Sequence, residues 1–430
     1  MPQGKVLAQS SSLIADPEPA GPRLSRTFAA LRSRNYRLYF AGQLVSQVGS
    51  WMQRLAQAWL VLDVTDSPLA LGTVTALQFL PILALSLVGG VLADRFPKRG
   101  FLLVTQSLQM LQALALGLLA VGGWVQLWHL YVFAAALGIT QALDQPARRS
   151  LPAELVSRVQ LPSAIALEST VFNAARVVGP ALGGIAVAAL GAGGCFLLNA
   201  ASFLAVLAAL ALLKPATRVA SAPVARAGMA GQLREVFSFA WRTPDVALTL
   251  LLLGFLGTFA YNFSTVLPLL ARYQLDAGAL GFGGLNSALG LGSMVGSLVV
   301  AGQRGAYRRR MLWSAACLPV ILLLQALSGE YQLTLALLFV QGLAGVFFSA
   351  TANTNLQLLT PPSLRGRVLS LYTLLFVGAT PLGAMFIGTL ADRWNIQAAL
   401  GLASVGSLAG VVGGLLYHHR QGRQQPDRSG

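Results

Sequence analysis

Residues 177–213 read VVGPALGGIAVAALGAGGCFLLNAASFLAVLAALALL, an apolar run without a single charge, bounded by Arg176 and Lys214. A helix needs about 20 mostly apolar residues to cross a bilayer, so the run holds the ends of two passes, near 163–190 and 195–213. The same ruler divides the rest of the chain. Further spans are predicted near 37–62, 69–93, 101–121 and 129–146. After a polar stretch come spans near 246–270, 279–302, 311–328, 332–356, 368–390 and 396–417. Asp144 and Arg148 crowd the end of the fourth. The pattern is six spans, a linker and six spans.

Composition agrees with this division. The 430 residues are 55% hydrophobic and 10% charged, whereas an ordinary soluble domain carries about 25% charged residues. That excludes a soluble enzyme and a disordered chain together. Glycine, 45 residues, is abundant where membrane helices pack closely on small side chains. Cys195 and Cys317 both lie in apolar runs, so neither a disulfide framework nor a thiolate metal site is expected. The first 35 residues contain no apolar core of signal-peptide length, so no cleaved leader is expected.

The expected organisation is an N-terminal segment 1–35, a six-helix bundle 36–214, a linker 215–245, a second bundle 246–417 and a tail 418–430. Within the linker, Leu233, Val236, Phe237, Ala240 and Trp241 recur at helical spacing opposite Arg234 and Glu235. This fits a helix lying on the membrane surface or a short soluble helix packed on the two halves. With twelve spans, both termini and the linker share one side. All but Arg54, Arg176, Arg272 and Arg393 of the 30 basic residues fall on that side. Basic residues are retained in the cytoplasm, so both termini are expected there. The net charge of +16 is thereby explained without nucleic acid.

The halves echo each other. Gly179-Pro180-Ala181-Leu182-Gly183-Gly184 in span five is matched by Thr380-Pro381-Leu382-Gly383-Ala384 in span eleven. Each follows a loop rich in Pro and Arg. Such a twofold repeat is how many secondary transporters are built, with the substrate site between the halves. Between spans two and three stands Gly90-Val91-Leu92-Ala93-Asp94-Arg95-Phe96-Pro97-Lys98-Arg99. It resembles the loop signature of the major facilitator superfamily, with Pro97 in place of the usual turn glycine. The resemblance implies an all-α integral membrane protein, its twelve transmembrane helices in two pseudo-symmetric six-helix bundles. It also implies that Gly90, Asp94, Arg95, Lys98 and Arg99 form a cytoplasmic latch, with Asp94 facing the start of span eleven. A carboxylate near a helix N-terminus is favoured by about 0.3–1 kcal/mol.

The run from Ala175 to Gly184 is similar to the span-five signature of superfamily antiporters, carried here by Gly179, Pro180, Gly183 and Gly184, and implies export. On physical grounds these residues also permit a kink and close packing. Asp144-Gln145-Pro146-Ala147-Arg148 and Leu364-Arg365-Gly366-Arg367-Val368 resemble the branch that contains enterobactin exporters and macrolide efflux proteins. One departure is that Ala134, Ala135 and Ala136 precede Gly138 where the superfamily often has an Arg for proton handling.

Span one carries Gln43, Gln47, Ser50, Arg54 and Gln57 within an arc of about 80°, a single helix face. A face that polar lines a cavity or binds another helix. Intramembrane charges are functional candidates by default, although Arg54 could also snorkel to the interface. Span five has its own stripe, Ser169, Asn173, Arg176 and Pro180. Phe259, Asn262, Gln341 and Asn355 complete the predicted substrate cavity, with Asn286, Tyr372 and Phe376 as single candidates. Neither arginine has an acid at its depth, so the cavity is expected to favour anionic oxygens.

Proton coupling needs a carboxylate that changes protonation. Only Asp144 and Glu168 touch the spans, and Asp144 could instead pair with Arg148 or Arg149 as a lock. The expected protein is a monomeric exporter of a small organic molecule, driven by protons, in the bacterial inner membrane. No cofactor, metal or nucleic-acid partner is expected. Import by the same fold is the alternative. A lipid-modifying membrane enzyme would need a nucleophile–base or metal constellation, which His129 and His418-His419 do not supply.

Overall fold

The computed structural model describes residues 27–213, 229–303, 305 and 307–424. The segment 1–26, the linker part 214–228 and the end of the tail lie outside the described residues. The described chain is a bundle of long helices. Among the described residues, nine helices are long and apolar enough to cross a bilayer. One of these, Leu161–Leu212, holds spans five and six, which turn at Gly191 with φ 72°. Spans one (Arg34–Thr65) and four (Leu127–Ser150) bring the total to twelve. Both are less apolar because each carries a polar face that is buried against protein: Gln43, Gln53 and Gln57 in one, Asp144 in the other.

Spans two and three are Pro68–Arg95 and Lys98–Val121. The linker helix Met229–Arg242 leads into span seven, Pro244–Gln274, and span eight, Gly278–Ala301. Spans nine to twelve are Tyr307–Leu327, Tyr331–Leu359, Pro362–Arg393 and Ile396–Gln424. The even number of passes puts the described start, the linker and the described end of the chain at one end of the bundle, called basal here; the other end is distal.

The halves form two lobes. In the N-terminal lobe, spans one, three and six are joined by a buried amide network. Gln53 donates to Gln112 at 3.0 Å and accepts from Asn199, whose carbonyl oxygen accepts from Ser202 at 2.9 Å. In the C-terminal lobe, Gln325 donates to Gln341 at 2.9 Å. Between apolar helices such amide pairs hold partners in register.

Glycines set how the lobes meet. An added Cβ at Gly184 in span five would lie 3.1 Å from the Gly283 Cα in span eight. At Gly72 in span two it would lie 3.2 Å from the Gly388 Cα in span eleven. The two seams are related by the internal repeat, and both lie in the distal half. A second sign of the repeat is backbone conformation. Asp66 and Asp276, each just after the first span of its half, take φ 46° and 44°, the only positive values outside glycine among the described residues. Asp tolerates this region because its short side chain bonds locally.

Span seven is not one helix. It runs as Pro244–Phe259, breaks at residues 260–262, and resumes as Phe263–Leu269 followed by a wide turn to Gln274. The continuous run predicted over 246–270 conceals this break. Irregular backbone at membrane depth is tolerated where protein surrounds it or it lines a cavity. Here Asn262 Nδ2 donates to the Thr258 carbonyl, and Gly383 packs so closely on both residues that no larger side chain fits.

The linker helix packs on spans seven and eleven through buried Val236 and Ala240, and leaves Phe237 and Trp241 exposed. Glu235 pairs with Arg367 at the start of span eleven at 2.6 Å. At the same end, Asp245 is bonded by Arg308 and His418, both at 3.1 Å.

Candidate functional site

The lobes enclose a cavity of about 490 Å³, lined from both sides and within the roughly 300–1,000 Å³ typical of small-molecule sites. Span one contributes Trp51, Arg54 and Gln57, and span five Phe172, Arg176 and Pro180. The rings of Trp51 and Phe172 meet edge-on at 5.7 Å. Arg54 and Arg176 each stand one turn further along their parallel helices, which sets the guanidinium groups on neighbouring walls. The Arg54 guanidinium carbon lies 4.6 Å from the Trp51 ring centre. This proximity depends on glycine. A Cβ at Gly179 would fall 2.4 Å from that of Trp51, and one at Gly183 3.1 Å from the Met52 Cα.

The opposite wall is aromatic. Tyr261, exposed to the cavity by the break in span seven, meets Phe376 at 5.0 Å and Phe263 at 5.7 Å, while Tyr372 stacks on Phe376 at 5.9 Å. Their hydroxyls are tied back, Tyr261 to the Gly345 carbonyl at 2.7 Å and Tyr372 to that of Ser349 at 3.3 Å. Both tyrosine hydroxyls are thus engaged by backbone carbonyls, and the rings line the cavity. Among the described residues, no Asp or Glu lines it.

Of the cavity residues expected from sequence, Arg54, Gln57, Arg176 and Gln341 line the wall, as do the single candidates Asn286, Tyr372 and Phe376. Gln43 and Asn355 are buried outside it, and Gln47 is half-buried. Asn173 donates to the Ser169 carbonyl at 2.8 Å. Asn262 is buried at the helix break. Phe259 lies outside the cavity, in a lateral apolar groove with Phe255, Phe237 and Trp241. The physical reason is the break, since a face extrapolated from Phe255 through Phe259 to Asn262 assumes a helix that stops at Phe259. Trp51, Tyr261 and Phe263 are among the lining residues that sequence reasoning passed over, as are Gln78, Gln141 and Phe172. Trp51 could have been found from its place on the Gln47–Arg54 stripe, whereas nothing local marks Tyr261 and Phe263.

Above the cavity, the distal end is bolted across the lobes. Arg272 of span seven reaches Asp63 at 2.7 Å and Asp66 at 3.2 Å, and the Tyr273 hydroxyl donates to Asp66 at 3.0 Å. Asp392 accepts from the Ser67 hydroxyl at 2.7 Å and from the Leu69 N–H at 3.3 Å. Exposed pairs are worth about 0.2–1 kcal/mol each. Arg272→Glu is therefore expected to slow transport about two- to fivefold by weakening distal closure, and adding Asp63→Arg should recover most of the rate. A double variant no faster than the single one would remove these contacts from the gate.

At the basal end, the signature loop is bonded within its own lobe. Lys98 pairs with Glu154 at 2.7 Å, and Arg99 donates to the Leu210 and Ala211 carbonyls, both at 2.7 Å. Asp94 is exposed and makes no hydrogen bond or ion pair among the described residues, so its expected contact with span eleven is not made in this conformation. Arg95 is exposed, and a Cβ at Gly90 would meet open space.

The two spanning carboxylates differ sharply. Asp144 is buried and saturated, accepting from Thr105 at 2.9 Å and Gln106 at 2.8 Å and pairing with Arg148 at 3.3 Å. Glu168 is half-buried and has no hydrogen-bond or ion-pair partner among the described residues.

This architecture has known counterparts. A bacterial homologue of the lysosomal transporter Spinster superposes with a TM-score of 0.68 at 14% identity, covering 95% of this chain and 100% of that one. A bacterial homologue of the iron transporter ferroportin gives 0.67 at 16% identity, covering 90% and 98%. In sequence, the multidrug efflux pump Tap of Mycolicibacterium fortuitum is 28% identical over 86% of this chain and 92% of its own length. The staphyloferrin A transporter of Staphylococcus aureus is 23% identical over 86% and 93%. The enterobactin exporter EntS of Escherichia coli O1:K1 is 27% identical over 89% and 90%. The profile of the transmembrane secretion effector family matches residues 25–427. Two pseudo-symmetric lobes around a shared cavity, matched over nearly the whole chain by that profile, mean that the protein belongs to the transmembrane secretion effector family of the major facilitator superfamily and is a multi-pass membrane transporter.

Proposed function

We propose that the protein exports a small organic molecule from the bacterial cytoplasm by alternating access, exchanging it for protons. The observation that carries this reading is the cavity between the lobes, sealed distally by two glycine seams and the Arg272 bolt. Relatives named as an efflux pump and an enterobactin exporter support the direction. The basal end, with its arginines, faces the cytoplasm. Substrate enters there, the basal loops close, the distal seams part, and the molecule leaves on the far side.

Glu168 is assigned the proton. A coupling group must gain and lose its charge as its surroundings change, and a carboxylate already committed to three partners cannot do so cheaply. Asp144 is therefore a structural lock within the N-terminal lobe, and Glu168, unpartnered between the basal end and Arg176, is the carrier.

Inside-out inner-membrane vesicles given an acid lumen should accumulate members of a panel of dyes and metal-free siderophores, and lose them when nigericin collapses the gradient. Accumulation only in right-side-out vesicles would make the protein an importer.

A further inference from the structure

The cavity is chemically two-faced. The N-terminal lobe presents Arg54 and Arg176, and neither guanidinium has a carboxylate within ion-pair distance among the described residues. Beside them is Gln57, 1% exposed, with neither its side-chain nitrogen nor its oxygen hydrogen-bonded. A buried polar group without a partner costs about 1–3 kcal/mol, so an unbonded amide in the wall of a cavity marks a place where a ligand atom belongs. The C-terminal lobe presents the rings of Tyr261, Tyr372 and Phe376, the two tyrosine hydroxyls already spent on backbone carbonyls.

Taking the export reading as its basis, we propose that the transported class is the amphipathic aromatic anion. Its carboxylate, phenolate or similar oxygens are held by Arg54 and Arg176 with Gln57 completing the set, and its ring system lies on the aromatic wall of the other lobe. Guanidinium groups match such oxygens two at a time, and the acid-free wall leaves a cation without a counter-charge. Ring faces prefer offset or edge-on contact with another ring, worth about 0.5–1.5 kcal/mol beyond the area buried. A ligand bridging the two lobes in this manner also explains how binding in one half is felt by the other. Such a ligand would touch the span-one and span-five arginines and the broken span seven together.

Three probes separate the elements: 2-naphthoate, the matched cation 2-naphthylmethylammonium, and octanoate, which keeps the charge without the ring. Equilibrium dialysis against the purified full-length protein should rank naphthoate above both others. Combining Arg54→Gln with Arg176→Gln should weaken naphthoate at least about tenfold, the loss expected for a charged hydrogen bond, and should spare the ammonium. The corresponding lysine variants keep the charge and lose the paired geometry, so they should bind naphthoate more weakly than the wild type and more tightly than the glutamine variants, which guards against misfolding as the cause. Phe376→Ala should weaken naphthoate about three- to tenfold while changing octanoate less than twofold. A ranking led by the ammonium, equal losses for all three probes, or no binding of naphthoate would overturn the assignment. Uptake of the same probes by inside-out vesicles separates the two levels. Gradient-driven accumulation of the ammonium alone would refute the substrate class and leave export standing, whereas accumulation of no compound would refute both.

Discussion

Gly184→Leu should abolish transport and trap the protein with its distal side ajar. A Cβ at this position lies 2.8 Å from the Ala279 carbonyl oxygen and 3.1 Å from the Gly283 Cα. Both are backbone atoms of the other lobe, so no rotamer change relieves the clash and the lobes themselves must part. Overpacking of this kind costs about 1–3 kcal/mol, enough to shift a two-state balance by about five- to 150-fold. Gly72→Leu at the symmetry-related seam meets the Ala384 carbonyl oxygen at 2.5 Å and should behave alike. Gly413, where a Cβ meets nothing within 4 Å, provides a control whose alanine variant should transport normally. The direction of the shift is measurable with a cysteine at Ser264 in the cavity wall, in a Cys317→Ser background. It should be labelled faster by an impermeant maleimide added on the distal side when Gly184 is Leu. Wild-type transport, or unchanged labelling, would mean that the seam does not control access.

The second large effect is expected at Glu168. Glu168→Gln removes the titrating group while keeping size and polarity, so gradient-driven accumulation should fall to background. Substrate exchange down its own gradient should persist, because the cavity, the seams and the bolt are untouched. Asp144→Asn should fail differently. It leaves half-buried Arg148 without its partner and weakens the contacts that buried Asp144 makes to Thr105 and Gln106. Leaving buried polar groups short of their hydrogen bonds costs about 1–3 kcal/mol, so thermal stability and yield should drop, with coupling intact in whatever folds. If Glu168→Gln still concentrates substrate against a proton gradient, the carrier is another group.

These expectations rest on features that were unequally visible in the amino-acid order. The twelve spans could be counted because a bilayer imposes a length on every crossing, and that constraint is local. Span one shows both the strength and the limit of such reading. Its polar stripe includes Arg54 and Gln57, which line the cavity, since one helix face is fixed by 100° periodicity alone. Depth along the stripe was not fixed, and Gln43 lies buried outside the cavity. The glycines of span five were visible as a motif, but their partners were not. Gly179 and Gly183 serve span one, and Gly184 serves the other lobe, a division set by how three helices cross.

What the order of residues determined by itself was the membrane class, the twofold repeat, the segregation of positive charge and the absence of acids at the depth of the two arginines. All of these are properties of one segment or of a sum over segments. Tertiary structure alone decided that span seven breaks at Tyr261, that Phe259 turns to the lipid side, and that an aromatic wall faces the arginines. It also joined Arg272 to acids some 200 residues away and left Glu168 without a hydrogen-bond or ion-pair partner among the described residues where Asp144 is held. The reason is common to them all. Each depends on distances between helices remote in the chain, and close packing, unlike hydropathy, cannot be read from any one helix.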